Sequence, residues 1–199
     1  MALPLLTTKL FIPQISEKHI LRDALTKKLV MGVHNNDQLT LVCAPAGYGK
    51  TTLVLEFLHS ANCASAWLSL DEGDNDPGRF LAYLIAALKN LGVSIGNDID
   101  SLVSDSGFHT TETVLTMLIN CMNPCSDKKI LVLDDYHLIR SQKINDMLRF
   151  ILEYQPPHLH MVIISREDPQ IPLARLRMKG RLTEIRMGDL LFTEEETKI

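Results

Sequence analysis

The sequence has no excess of positive charge, no CxxC pair and no uninterrupted apolar run that approaches a membrane span. Twenty Lys and Arg stand against 24 Asp and Glu, a formal net charge of −4. Phosphate contacts along a nucleic acid need a concentrated basic excess, so that footprint is missing here. Arg175, Arg177, Lys179 and Arg181 do cluster, and they read as a solvated helix face. The four cysteines, Cys43, Cys63, Cys121 and Cys125, lack the spacing of a zinc or redox site; free thiols in a reducing cytosol follow. Cys121 and Cys125 suit one helix face, but Pro124 is expected to end that helix first. The N-terminus carries no basic leader ahead of a long apolar core, so no signal peptide is expected, and a cytoplasmic location with no membrane partner is. No repeat or low-complexity segment occurs.

What is present is enough apolar material for a core, 46% of 199 residues, and one stretch that organises the rest. Leu39 to Cys43 is a short apolar run of the kind that forms a buried parallel strand. Ala44-Pro45-Ala46-Gly47-Tyr48-Gly49-Lys50-Thr51-Thr52 follows, and then helical spacing. This is a phosphate-binding loop, the Walker A pattern. Unpartnered N–H groups at a helix start favour an anion, so Ala46, Gly47, Tyr48, Gly49, Lys50, Thr51 and Thr52 are the candidate nucleotide contacts. Lys50 reaches the β and γ phosphates of such a ligand, and the Thr51 hydroxyl ligates Mg²⁺. The usual pattern has Gly where this chain has Ala44; the added methyl is tolerated where φ is negative.

Around this loop the pattern alternates strand and helix. Residues 1–15 hold Pro4 and Pro13 and read as an extended lead-in. Ser16 is placed to cap a helix carrying Ile20, Leu21, Ala24, Leu25 and Leu29, closed by Gly32 and Asn35-Asn36. Further strands are expected at Ala66 to Leu70, Ile130 to Leu133, Leu159 to Ile164 and Leu182 to Ile185. Helices are expected from Thr51 to about Ser60, from Pro77 to near Gly92, from Thr111 to Met122, after Ser141, and from Pro172 to Lys179. Residues 93–109 read as irregular. Asp71-Glu72-Gly73-Asp74-Asn75-Asp76 is acidic, but its spacing fails the calcium-loop pattern and the later Glu is missing. Asp76 and Pro77 instead suit an N-cap and a first helical residue. Strands alternating with helices give an α/β fold with a parallel sheet.

The apolar strand ending in Asp134-Asp135 is the expected acidic partner of the loop, the Walker B pattern. Asp134 is the candidate Mg²⁺ ligand with Thr51, and Asp135 the residue that orients or deprotonates water; Asp134, Asp135 and Lys50 form the candidate catalytic set. With an extra strand between the two motifs, the expected five-stranded order is 5-1-4-3-2. That order puts Arg166 at a strand tip between Lys50 and Asp134, where a guanidinium tells ATP from ADP. Pairing of Arg166 with Glu167 or Asp168 is the plainer alternative. His137 is expected to pack near the site. His158 and His160 alternate on a strand with no third ligand, so no transition metal is expected.

Together these stretches resemble the nucleotide-binding domain of MalT-like transcriptional activators, which belong to the signal-transducing (STAND) P-loop ATPases with a LuxR-type DNA-binding module. The resemblance includes Thr8-Lys9-Leu10-Phe11-Ile12-Pro13, the phosphate loop with its Ala44, and Trp67 through Pro77. It continues through Leu131 to Ile139, Ser165-Arg166-Glu167-Asp168-Pro169 and Leu190-Leu191-Phe192-Thr193. It implies an ASCE/STAND-type P-loop NTPase fold binding ATP or ADP with Mg²⁺, with Ile20 and Arg22 in the part that covers adenine. It also implies slow hydrolysis that governs self-association in the ATP-bound state. An inducer and DNA would be met through C-terminal regions outside these residues. The alternatives kept open are an AAA+-like motor, a small-molecule phosphotransferase and a scaffold without turnover. The expected organisation is a lead-in and helix near adenine over 1–36, the P-loop domain over 37–192, and the start of a further helical segment over 193–199. The last rests on the capping box Thr193-Glu194-Glu195-Glu196, which announces a helix too short to hold itself before Ile199 and so suggests the front piece of a longer protein.

Overall fold

The computed structural model describes residues 4–15, 19–96, 111–124 and 127–193. Five parallel strands form one sheet: β1 (Leu39–Cys43), β2 (Ala64–Ser69), β3 (Lys129–Asp134), β4 (Leu159–Ser165) and β5 (Leu182–Arg186). Their order is β2-β3-β4-β1-β5, the expected one read from the other edge. The central three strands are almost wholly buried, which is why they are apolar at every position rather than at every second one.

Helices cover both faces. α1 (Asp23–His34) and α2 (Lys50–Ala61) pack on one, where Leu29, Val33, Val54 and Phe57 meet Val42, Val132 and Val162. On the other lie α3 (Pro77–Asn90), α4 (Thr111–Met122), α5 (Gln142–Tyr154) and α6 (Leu173–Met178). There Phe80, Leu84, Leu118 and Leu148 meet Leu41, Leu133 and Met161. A final turn, α7 (Met187–Leu190), follows β5.

Several local readings change. α1 starts at Asp23, so Ile20 and Leu21 precede it rather than filling its first turn. Ser16 and the capping box at 193–196 involve residues outside the described set. Gly32 does not close α1. It lies inside the helix, where a Cβ would stand 2.3 Å from the Thr183 hydroxyl; the small residue is there for close packing on β5. The helix ends instead at Asn35, and Asn36 takes the left-handed conformation. Ser141 sits at the N-cap of α5, but its side chain caps nothing. Its N–H donates to the Asn75 Oδ1 at 2.9 Å, so a distant side chain holds that entry.

The acidic turn after β2 is a structural joint. Asp71 and Asp74 cap each other reciprocally across a short 3₁₀ turn (Glu72–Asn75). Asp74 is fully buried and takes ion pairs from Lys9 and from Arg79. Asp76 accepts from the Arg79 N–H at 2.8 Å and caps α3, as its position before Pro77 predicted. Lys9 belongs to a 3₁₀ turn (Thr7–Leu10) and is itself 7% exposed, with its ammonium 4.5 Å from the Tyr83 ring centroid. The described part of the expected extended lead-in therefore includes a turn docked on α3 through Lys9 and Tyr83. The predicted cluster Arg175 to Arg181 is partly neutralised: Arg175 pairs with Glu153 at 3.0 Å, and Arg177 reaches Glu184 with two nitrogens.

Candidate functional site

Three adjacent strands deliver the site. β1 runs into the phosphate loop, β4 beside it ends before Arg166, and β3 next to that ends in Asp134. Ala44 is buried and has no positive φ, so its methyl costs nothing there. Gly47 and Gly49 take φ of 85° and 71°, which only glycine adopts freely, and Gly49 is the N-cap of α2. The first-turn N–H groups of α2 thus open into the loop without a side-chain cap.

Lys50 lies at this helix start, and its Nζ donates to the Pro45 carbonyl at 2.9 Å. Burial lowers its pKa, and Arg166 adds to this while Asp135 and Asp134 oppose it. Asp134 is 7% exposed; burial pushes its carboxyl up to about 6, helped by the Asp135 charge. The Asp135 N–H, Lys50 and the Thr51 hydroxyl act the other way. The Asp135 N–H donates to Asp134 Oδ1 at 2.8 Å, and Asp135 itself sits in the left-handed region at φ 55°. That turn separates the two carboxylates: one is buried and the other half-exposed.

Arg166 is exposed; burial lowers the pKa values of Lys50 and His137, and the Arg166 charge adds to both shifts. Asp168, one of the two acids that sequence offered as its partner, pairs with Arg186 instead. His137 Nδ1 lies 3.8 Å from Asp135 Oδ1.

Next to the loop is a cavity of about 560 Å³ bounded by Ala46, Tyr48, Thr52, Leu53, Ile20 and Phe192 among others. Ile20 and Arg22 both border it. The Arg22 guanidinium donates to the carbonyls of Asp189, Leu190 and Leu191 at 3.1, 2.9 and 3.1 Å and lies 4.9 Å from the Phe192 ring centroid. It is bound to the rim of the cavity. Glu56 is a member of the site that sequence reasoning missed. Its buried carboxylate accepts from the Arg22 N–H at 3.1 Å and from the Thr26 hydroxyl, and lies 3.2 Å from His19 Nε2. A lone acid in the apolar run of α2 was the available signal.

The AAA domain family matches residues 33–167, which spans the loop, the acidic strand and Arg166. The chain belongs to the AAA domain family. This AAA domain is 37% identical over 194 residues to the HTH-type transcriptional regulator MalT of Klebsiella pneumoniae, covering 98% of this chain and 21% of that protein. It is 36% identical to that of Cronobacter sakazakii over the same span. Over its length it is a MalT-like nucleotide-binding domain, and it spans about a fifth of these curated relatives. Among solved structures, Cdc6p from Pyrobaculum aerophilum superposes with a TM-score of 0.54 at 12% identity, over 85% of this chain and 47% of that one. A Walker-type ATPase of Pyrococcus abyssi gives 0.51 at 18% identity, over 92% and 57%. These likenesses show a P-loop ATPase fold.

Among the described residues no group of three or more His, Cys, Asp or Glu could hold a metal ion. His160 is buried in β4: its Nδ1–H donates to the Asp37 carbonyl, leaving Nε2 to accept from the Thr40 hydroxyl, both at 2.8 Å. Cys43, Cys63 and Cys121 are free thiols, and Cys125 is outside the described residues. No described helix is long and apolar enough to cross a membrane.

Proposed function

We propose that this chain is the nucleotide-operated switch of a transcriptional regulator, binding ATP or ADP with Mg²⁺ and hydrolysing ATP slowly. The observation that carries the reading is the convergence of Lys50, Asp134, Asp135 and Arg166 at the tips of three adjacent strands beside a cavity large enough for a nucleoside. The regulatory setting comes from the MalT relatives.

In this reading the α2 start and the Gly47–Gly49 backbone hold the phosphates, and Lys50 leaves Pro45 to balance their charge. Thr51 and Asp134 fit Mg²⁺: both offer hard oxygen, and a carboxylate held near pKa 6 by burial beside a second acid is relieved by a divalent cation. When bound, the ion neutralises charge across the β and γ phosphates. Asp135, half-exposed on its left-handed turn, orients the attacking water and accepts its proton. Arg166 contacts the γ-phosphate, which ADP lacks, and so reads the nucleotide state. ADP favours a closed monomer and ATP an open form that self-associates. A ligand shifts such an equilibrium only by its different affinity for the two states. Inducer and DNA are met by regions outside this chain. A motor or a small-molecule phosphotransferase is not favoured by any feature of the site.

The test is to denature the purified protein and identify released nucleotide by chromatography, with Lys50→Ala as control. Released ADP that the variant lacks is the expected result. A protein that releases nothing and binds no added Mg·ADP in calorimetry overturns the reading.

A further inference from the structure

His137 is the feature that the site above does not use. It lies on the short 3₁₀ turn Tyr136–Leu138, directly after Asp135. Its side chain is 12% exposed, and its Nδ1 is buried with no hydrogen-bond partner. An unpartnered buried nitrogen is costly and calls for a reason. The nearest acid is the Asp135 carboxylate at 3.8 Å, just beyond hydrogen-bond reach. Lys50, Arg166 and Glu167 act on the ring from the neighbouring strand tips, so it stands at the end of the site where Arg166 stands.

The ring is held there. Asn75 donates to the Leu138 carbonyl at 2.8 Å and accepts from the Arg140 N–H at 2.7 Å and the Ser141 N–H at 2.9 Å. Tyr136, on the other side of His137, is 1% exposed and donates its hydroxyl to Asn145 Oδ1 at 2.8 Å. The turn bearing His137 is thus fastened before and after the ring, while Asp135 on its strained φ is half-exposed. A fixed donor beside a half-exposed carboxylate is an arrangement that can select one carboxylate orientation.

We propose that His137 is a positioning residue for hydrolysis: its Nδ1–H engages the Asp135 carboxylate and aims the free oxygen at the attacking water. The proposal rests on the hydrolytic reading above. In that step the water oxygen bonds to the γ-phosphorus and the bond from γ-phosphorus to the bridging oxygen breaks. The electron pair leaves on the β-phosphate of ADP, and the water's proton passes to Asp135 and on to the phosphate released. His137 touches neither nucleotide nor water in this scheme; it acts through Asp135.

The experiment measures single-turnover hydrolysis of Mg·ATP and equilibrium affinity for Mg·ADP, in the purified chain and its variants. His137→Leu is expected to slow hydrolysis by about tenfold, with affinity changed less than twofold. His137→Asn keeps a donor near the place of Nδ1 and is expected to recover most of the rate; His137→Gln places its donor farther out and is not. In an Asp135→Asn background, His137→Leu is expected to cause no further loss. An unchanged rate in His137→Leu, or equal losses in rate and affinity that Asn does not repair, overturns the proposal while leaving the hydrolytic reading in place. So does an additive double variant. A wild-type chain that binds Mg·ATP and never hydrolyses it overturns both. If the leucine variant does not fold, the Asn and Gln variants carry the comparison alone.

Discussion

Single side chains decide most of what can be tested first. Lys50 faces a loop carbonyl at 2.9 Å and the field of a pair of acids. Lys50→Ala is expected to weaken Mg·ADP binding about tenfold to hundredfold, since a charge-assisted contact carries about 1.5–3 kcal/mol; calorimetry reads it, and unchanged affinity removes Lys50 from the site. Arg166→Ala is expected to shrink the ATP-to-ADP affinity ratio by about tenfold on the same scale. If the ratio holds, Arg166 only screens the local acids. His160 sets a pH dependence. Burial pushes its pKa down to about 4, below the ordinary 6.5, so the fold keeps the ring neutral while the unfolded chain protonates it. The stabilisation is complete above about 6.5 and is lost as pH falls through about 4, a change of about 3 kcal/mol. Denaturant titrations between pH 7 and 4 measure it, and His160→Gln is expected to flatten that part of the slope.

At the level of elements, the sequence was most legible where one physical cause acted alone. The strand β1 and the helix α4 have the bounds that their apolar pattern and flanking Pro or Gly gave. The sheet order followed from the extra strand between the phosphate loop and Asp134-Asp135, with the fourth strand inserted between the strands that carry them. What could not be read were functions set by distant partners. Asp71 to Asp76 read as an acidic turn with Asp76 as an N-cap, and only the fold shows Asp74 buried between Lys9 and Arg79, with Asn75 fastening the turn after Asp135. Gly32 looked like a helix stop because a glycine in sequence does not reveal what packs on it. In the site, the loop, Asp134-Asp135 and Arg166 were legible as motifs, whereas Glu56 and His137 drew little weight because neither belongs to a spaced pattern. Two expectations follow. Gly32→Ala gains up to about 1 kcal/mol of helix propensity, but its Cβ 2.3 Å from the Thr183 hydroxyl forces a shift. The net is a loss of about 1–3 kcal/mol in denaturant midpoints. Lys9→Met leaves Asp74 buried with one cation fewer, and a loss of about 3 kcal/mol is expected by urea unfolding.

On the scale of the whole molecule, the cavity beside the phosphate loop lies where early and late parts of the chain meet. Arg22 holds the carbonyls of 189–191, and Ile20 and Phe192 border the same space. The Lys28–Asp189 pair at 3.9 Å and the packing of Gly32 on Thr183 already tie these segments together, so nucleotide is expected to protect both from amide exchange together, with Lys50→Ala abolishing the effect.

The strand that carries the phosphate loop has a further consequence. β1 is made early but sits between β4 and β5, pairing residues 39–43 with 161–165 and 182–186. During synthesis at about 5–20 residues per second, it waits roughly 7–30 s for its second neighbour. Until then one edge of β1, with its row of N–H and C=O groups, lacks its final partner. A chain stopped before β5 is expected to leave that edge of β1 unpaired while most of the domain is already synthesised.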